Sequence, residues 1–290
     1  MEFNAKQLAQ EWKEELKKEI ESFPTKPVMA VIIAKDYSEA SKKYVANKIK
    51  TNEELGIETE LFEIEYQDKS HDELLKELTC LILVLNSRRC INGIIVQKPF
   101  PQLIDHEIDN LIDVLKDIDG FSCYQKGALV SKMDKVLAPA TALGCSKIIS
   151  KVFNGNVSGL NAVIINRSGL IGLPLQSILL HNNCTVTNIH TKTRDEYKNL
   201  LLKNADIVIT GCGQRKIFNS SHFSDKCKLI IDCSMTKVDD IVGVGDLDKE
   251  QLLEHRPDII VSSGYGQSGI LTTVALANNV VQAYKIQNDI

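Results

Sequence analysis

The stretch Asn161-Ala162-Val163-Ile164-Ile165-Asn166-Arg167-Ser168-Gly169-Leu170-Ile171-Gly172-Leu173-Pro174 decides the fold. Ala162–Ile165 is an unbroken apolar run, the pattern of a strand buried on both faces. Ser168, Gly169 and Gly172 are small enough for a tight turn, and a helix follows around Pro174. Such a strand–turn–helix presents backbone N–H groups at the positive end of a helix, which is what a pyrophosphate needs. The strict G-x-G-x-x-G fingerprint is absent, because Asn166 stands at its first position. Asn is accommodated there as a residue that reaches left-handed backbone angles more readily than most. A plain βα turn is the other reading of the same residues.

Working outward, strand candidates recur at Thr185–His190, Asp206–Thr210, Leu229–Cys233 and Asp258–Ser262, with helical or polar stretches between them. The series predicts a Rossmann-like parallel sheet. The end of the strand after the turn bears on cofactor choice. NAD sites usually carry an acid there to hold the ribose 2′-hydroxyl. This chain reads His190-Thr191-Lys192-Thr193-Arg194, with no acid before Asp195. Together with Arg167, these hydroxyls and cations suit the 2′-phosphate of NADP, with NAD as the second choice. A solvated basic loop is the bland alternative.

The first half alternates in the same way. Leu8, Trp12, Leu16, Ile20 and Phe23 make one face of a helix that Pro24 stops. Val28–Ile33 is a buried strand, followed by a helix over about 38–55, a strand near 58–64, a helix near 71–84 and a strand over Gly93–Gln97. The expected fold is therefore α/β with two domains, a three-layer domain over 1–140 plus 271–290 and a nucleotide-binding domain over 141–270. The last helix, near 271–284, is expected to return to the first domain.

At 290 residues the chain is long enough for two ordinary cores. A net charge of -4 argues against a general nucleic-acid binder, and no run approaches the roughly 20 apolar residues of a membrane span. The polar start Met1–Lys6 does not read as a secretory leader, which gives a cytoplasmic expectation. The eight cysteines show no Cys-x-x-Cys pair and no histidine at zinc-ligand spacing, so no metal is expected. Most are read as reduced thiols buried in apolar runs.

Chemistry-bearing residues also stand out in the first half. Tyr44 and Lys48, four apart, share one side of a helix, and a desolvated lysine can transfer protons. Gln97 ends a strand before a proline-stiffened loop, where α/β sheets place ligand-binding groups. Asp117-Ile118-Asp119-Gly120-Phe121 offers two acids in a turn. Taken singly, these also fit a surface pair, a strand end and an Asp–Gly turn.

In order, the blocks resemble the bifunctional methylenetetrahydrofolate dehydrogenase/cyclohydrolase family over almost the whole chain. Ser41–Lys48 resembles its S-x-x-Y-V-x-x-K helix, Gly93–Pro101 its G-I-x-V-Q-L-P-L-P segment and Lys116–Phe121 its K-D-V-D-G-F. Asn166–Leu180 resembles G-R-S-x-x-V-G-x-P-x-x-x-L-L, Thr185–Thr193 resembles T-V-T-x-x-H-S-x-T, and Ala205–Gly213 resembles A-D-I-x-I-x-x-x-G. Gly245-Asp246 stands where the family has G-D-V. The resemblance implies a tetrahydrofolate-derivative substrate held between the domains, a nicotinamide cofactor and a homodimer. It makes Lys48 the proton-transfer residue, oriented by Gln97, with Tyr44 against the reacting part of the folate. It also makes Asp119 the pterin-binding acid, Gly266 and Gly269 part of the substrate loop, and Asn166, Arg167, Ser168, His190, Thr191 and Thr236 the cofactor lining.

The chain departs from the pattern at definite places. The family's P-C-T-P-x-G is Pro139-Ala140-Thr141-Ala142-Leu143-Gly144, and its P-G-G-V-G-P-M-T loop is Tyr265-Gly266-Gln267-Ser268-Gly269-Ile270-Leu271-Thr272. Losing both prolines and the central glycine changes that loop's backbone preferences. A one-activity relative, or a paralogue that binds folate or nucleotide without turnover, fits the altered loop as well.

Overall fold

The computed structural model describes every residue except 37, 104, 235, 239, 240 and 264–266, and only the backbone at 105, 106, 236–238, 241–243, 267 and 268. In chain order the elements are α1 (Ala5–Glu21), β1 (Val28–Ala34), α2 (Glu39–Leu55), β2 (Glu58–Ile64), α3 (His71–Ser87), β3 (Gly93–Val96), α4 (Asp105–Asp109), α5 (Cys123–Val130) and α6 (Ala140–Val152). There follow β4 (Asn161–Ile165), α7 (Gly172–His181), β5 (Thr185–Asn188), α8 (Asp195–Asn204), β6 (Ile207–Thr210), β7 (Leu229–Asp232), β8 (Thr236–Val238), β9 (Ile241–Val244), α9 (Lys249–His255), β10 (Ile260–Ser262) and α10 (Gln267–Asn288). They form two compact units, Glu11–Ala140 with Thr273–Ile290, and Met1–Gln10 with Thr141–Thr272.

The first unit is built on a parallel sheet of order β2-β1-β3. Ala30 and Ile32 of β1, with Ile94 and Val96 of β3, pack against Leu74, Leu78, Ile82 and Leu85, one helical stripe of α3. A Ser70–Glu73 capping box starts α3. Ser38 caps α2, and Gly56 ends it in the left-handed conformation, with φ 84°. The 116–118 segment runs beside β3, with Ile94 N–H donating to the Lys116 carbonyl at 2.8 Å and an isolated parallel bridge between Ile94 and Asp117. Within the same unit, Asn279 of α10 donates to the carbonyls of Ile118 and Ala138, and Tyr284 stacks on Phe23 with ring centres 4.5 Å apart.

The second unit holds a five-stranded parallel sheet of order β10-β7-β6-β4-β5. The chain leaves β4, crosses through α7 to β5, and returns through α8 to β6 on the other side of β4. That reversal is a topological switch point, and it puts a crevice outside the carboxyl end of β4, where Asn166 and Arg167 follow. Met1–Gln10 belongs here because the N-terminal residues extend the β10 edge: Phe3 N–H donates to Val261 and Val261 N–H to Met1.

Three readings change. α10 begins at Gln267, so Gly269 lies in a helical first turn, and a β-carbon there would meet no atom within 4 Å. The helix pattern hid this because the loop was bounded by comparison with a proline-containing motif. The hairpin of β8 and β9 was also unforeseen, its strands being only three and four residues long. Cys80, Cys90 and Cys123 are exposed, while Cys145, Cys184 and Cys227 are buried; helix and loop surfaces interrupt the apolar runs around the first three.

Candidate active site

α2 places the lysine. Ser41, Val45, Asn52 and Leu55 lie on one buried stripe, and Lys48 fills the gap between Val45 and Asn52, which makes the spacings four, three, four and three. The side chain is therefore aimed inward, and its Nζ donates to Gln97 Oε1 at 3.0 Å. Gln97 follows β3 directly, with its N–H bonded to the Ile32 carbonyl, and its Nε2 donates to the Lys98 carbonyl at 2.7 Å. The second bond fixes the amide so that its oxygen faces Lys48. Tyr44, one turn earlier on α2, is exposed.

Burial lowers the Lys48 pKa from its ordinary value, opposed by the negative charge of Asp119. Burial likewise raises the Asp119 pKa, opposed by the charge of Lys48. Each group is thus shifted towards its neutral form. The turn that carries Asp119 is tied by Asp117, whose carboxylate accepts from the N–H groups of Gly120 (3.0 Å), Phe121 (3.3 Å) and Ser122 (2.8 Å). Gly120 has φ 68°, and a β-carbon on it would stand 2.2 Å from the Leu137 carbonyl oxygen. Of the two acids in this turn, Asp117 is therefore the one that holds the backbone. A feature the sequence reading passed over is Lys98. It pairs with Asp109, lies 4.7 Å from the Phe121 ring centre and lowers the Asp119 pKa by its charge.

In the second unit, Asn166 follows β4 and Gly172 opens α7. A β-carbon on Gly172 would come within 2.1 Å of the Asn166 carbonyl oxygen, so the turn closes only over a glycine. Asn166 itself is not left-handed, so the backbone argument for Asn does not hold; its side chain is engaged instead. Arg167 and Thr191 are exposed, and Ser168 and His190 are half-buried. His190 closes a turn with Thr193, and its Nδ1 accepts the Lys192 N–H. Thr236 opens β8, with its side chain outside the described residues, as is the whole of Gly266. A nicotinamide dinucleotide fits this edge on two observations. The glycine-closed turn lies at the switch point, and Asn188 Oδ1 at the end of β5 is buried with no hydrogen-bond partner. Among the described residues no three His, Cys, Asp or Glu side chains gather as metal ligands, and no helix is long and apolar enough to cross a membrane.

Comparison with known proteins follows the same division. Residues 3–119 match the tetrahydrofolate dehydrogenase/cyclohydrolase catalytic domain, and residues 139–288 match the NAD(P)-binding domain of that family. The chain is 35% identical over 288 residues to the bifunctional protein FolD of Rickettsia bellii, covering 98% of each. Among solved structures it is similar to the bifunctional 5,10-methylenetetrahydrofolate dehydrogenase/cyclohydrolase of Thermoplasma acidophilum, with a TM-score of 0.88, 28% identity and 100% of both chains covered. It is also similar to a 5,10-methylenetetrahydrofolate dehydrogenase of the silkworm Bombyx mori, with a TM-score of 0.87, 30% identity and coverage of 99% and 98%.

Proposed function

Because this chain belongs to the tetrahydrofolate dehydrogenase/cyclohydrolase family, we propose that it oxidises 5,10-methylenetetrahydrofolate and hydrolyses the methenyl product to 10-formyltetrahydrofolate. The observation that carries the reading is the inward-facing Lys48, bonded to an oriented Gln97 and electrostatically coupled to Asp119.

For hydrolysis, water adds to the amidinium carbon of the methenyl form. Neutral Lys48 takes one proton from that water and returns it to N5 as the C–N5 bond breaks. The second water proton leaves to solvent as the formyl carbonyl forms. Gln97 positions the amine, and the lowered Lys48 pKa increases its neutral fraction. Asp119 accepts from the amino and amide donors of the pterin edge, a pairing its two oxygens match. Tyr44 offers a ring face to the folate.

A nicotinamide held by Asn166, Arg167, Ser168, His190, Thr191 and Thr236 supplies the hydride acceptor for the oxidation. The exposed Arg167 and the acid-free 190–194 segment favour NADP over NAD. We assign a cytoplasmic address on the scattered cysteine usage. A homodimer through the nucleotide unit is supported by the edge strand β5 and by exposed Leu170, Leu173 and Leu180.

The test is absorbance of the protein with 5,10-methylenetetrahydrofolate and NADP or NAD, then with methenyl substrate alone. Reduced cofactor, formed faster with NADP, and loss of methenyl absorbance are expected. Lys48→Met should abolish the hydrolysis with the fold intact; undiminished hydrolysis in that variant overturns the role of Lys48.

A further inference from the structure

The turn after β4 is closed by a side chain acting on the groups a phosphate would use. Asn166 Oδ1 accepts the Ser168 N–H at 2.8 Å and the Gly172 N–H at 3.2 Å. Ser168 Oγ accepts the Ile171 N–H at 3.2 Å. Gly172 is the first residue of the ten-residue helix α7, so its N–H and that of Ile171 are among the donors a helix start leaves for an anion. The Asn166 amide is anchored from behind as well. Its Nδ2 donates to the Gly211 carbonyl at 2.8 Å, and its own carbonyl accepts from Asn188 Nδ2 at 2.9 Å.

An amide oxygen carries partial negative charge and two lone pairs, so two N–H groups converging on it are satisfied without a ligand. A glycine at position 166 has no such oxygen, and the same two donors would face the crevice. Asn166 does not adopt a left-handed backbone, so its conformation is open to alanine as well as glycine. The amide, and not the backbone, is what this residue contributes.

Building on the dinucleotide reading of this unit, we infer that Asn166 sets cofactor affinity by acting as an internal anion mimic. Its Oδ1 holds the Ser168 and Gly172 N–H groups, and a bound pyrophosphate is kept outward, on Arg167 and the N–H groups of Gly169 and Leu170. The pyrophosphate is common to NADP and NAD, so this weakening is common to both. Discrimination between them stays with the groups that face the 2′-phosphate.

Calorimetric titration of the full chain with NADP and with NAD tests this, using Asn166→Ala, Asn166→Gly and Asn166→Asp. Freeing donors for a charged acceptor should tighten binding of both nucleotides roughly tenfold in the Ala and Gly variants. The NADP-to-NAD affinity ratio should not change. Melting temperatures of the Ala and Gly variants should fall, since the strut to Gly211 is lost. A purely structural Asn166 would instead lose stability and affinity together. Asn166→Asp keeps the acceptor for the Ser168 and Gly172 N–H groups, although it too loses the bond to Gly211, and its charge should weaken both nucleotides. Unchanged or weaker binding in both the Ala and Gly variants, beside a parent that binds, overturns the inference and leaves the dinucleotide reading in place. Tighter binding by Asn166→Asp overturns it too. Binding seen only in the Ala or Gly variant supports it. No binding by the parent or any variant removes the dinucleotide reading, and the inference with it.

Discussion

The two acids of the 117–121 turn are expected to respond oppositely to neutralisation. Asp117→Ala removes the acceptor of three backbone N–H groups, two of those bonds being buried and the Phe121 bond partly so. The Gly120 N–H keeps a second acceptor, the Asp117 backbone carbonyl at 3.1 Å, and water can relieve the Phe121 N–H, so the buried Ser122 N–H is the donor left without a partner, at a cost of about 2 kcal/mol. In a unit of this size that lowers the melting midpoint by roughly 5 °C. Asp119→Asn should not lower it at pH 7. Burial outweighs the attraction of Lys48 and leaves the Asp119 carboxyl with a raised pKa, so an uncharged isostere relieves a net cost. Its effect should fall on methenyl hydrolysis, as a raised KM. Thermal denaturation of the intact chain, followed by circular dichroism beside the hydrolysis assay, separates the two. An Asp117→Ala midpoint within about 2 °C of the parent would refute the reasoning. So would an Asp119→Asn midpoint that falls as far as that of Asp117→Ala.

Other expectations follow from single side chains. The Lys116 ammonium donates to the carbonyls of Leu85 (3.1 Å), Asn86 (2.7 Å) and Arg88 (2.8 Å) at the end of α3, so Lys116→Met should cost about 3 kcal/mol in urea denaturation. Gly172→Ala forces a β-carbon against the Asn166 carbonyl and should abolish calorimetric NADP binding while methenyl hydrolysis persists. Hydrolysis should rise with pH and level off below the ordinary lysine value of 10.5, and a profile that keeps its slope to that value would count against a neutral Lys48. Asp232 is pushed up to about 6 by burial, so the folded form binds its proton more tightly than the unfolded chain does. Its contribution is greatest below about pH 4, and about 3 kcal/mol is lost as pH rises from 4 to 6; Asp232→Asn should flatten that part of the stability profile.

The parallel sheets were legible because their central strands are apolar runs, and the switch point because the Asn161–Gly172 stretch reads as strand, turn and helix. Lys48 was legible through its spacing from Tyr44 and through the motif over Ser41–Lys48, whereas the buried stripe on whose line it stands emerges only from the structure. The division between Asp117 and Asp119 was not legible. Both are acids in an Asp–Gly turn, and only the three N–H groups converging on Asp117 distinguish them. Asn166 was read for its backbone because glycine stands there in the family pattern, whereas hydrogen bonds to residues 2, 6 and 45 positions away explain it. Local propensity carries no information about such partners.

The same device recurs at the carboxyl ends of both sheets. Asp117 ties the turn beside β3, and Asn166 ties the turn after β4. Asp246 accepts from Thr210 Oγ1 and from the N–H groups of Cys212 (2.7 Å) and Gln214 (2.8 Å), which holds the loop after β6. Asp232 accepts from the N–H groups of Ser234 (2.9 Å) and Leu247 (3.0 Å) after β7. A loop held by one polar side chain keeps its shape through directed hydrogen bonds, where glycine and proline act by restricting or freeing the chain. The two routes differ in what a substitution does. Losing a glycine changes which backbone angles are allowed, whereas losing one of these acceptors strands two N–H groups at once. A chain that relies on such acceptors can part with family glycines and prolines, as this one has at 140–144 and 265–272, and still present Lys48, Gln97 and Asp119. The Asn166–Gly211 bond then joins the turn after β4 to the loop that Asp246 holds, so the two loops at the switch point are set as one piece.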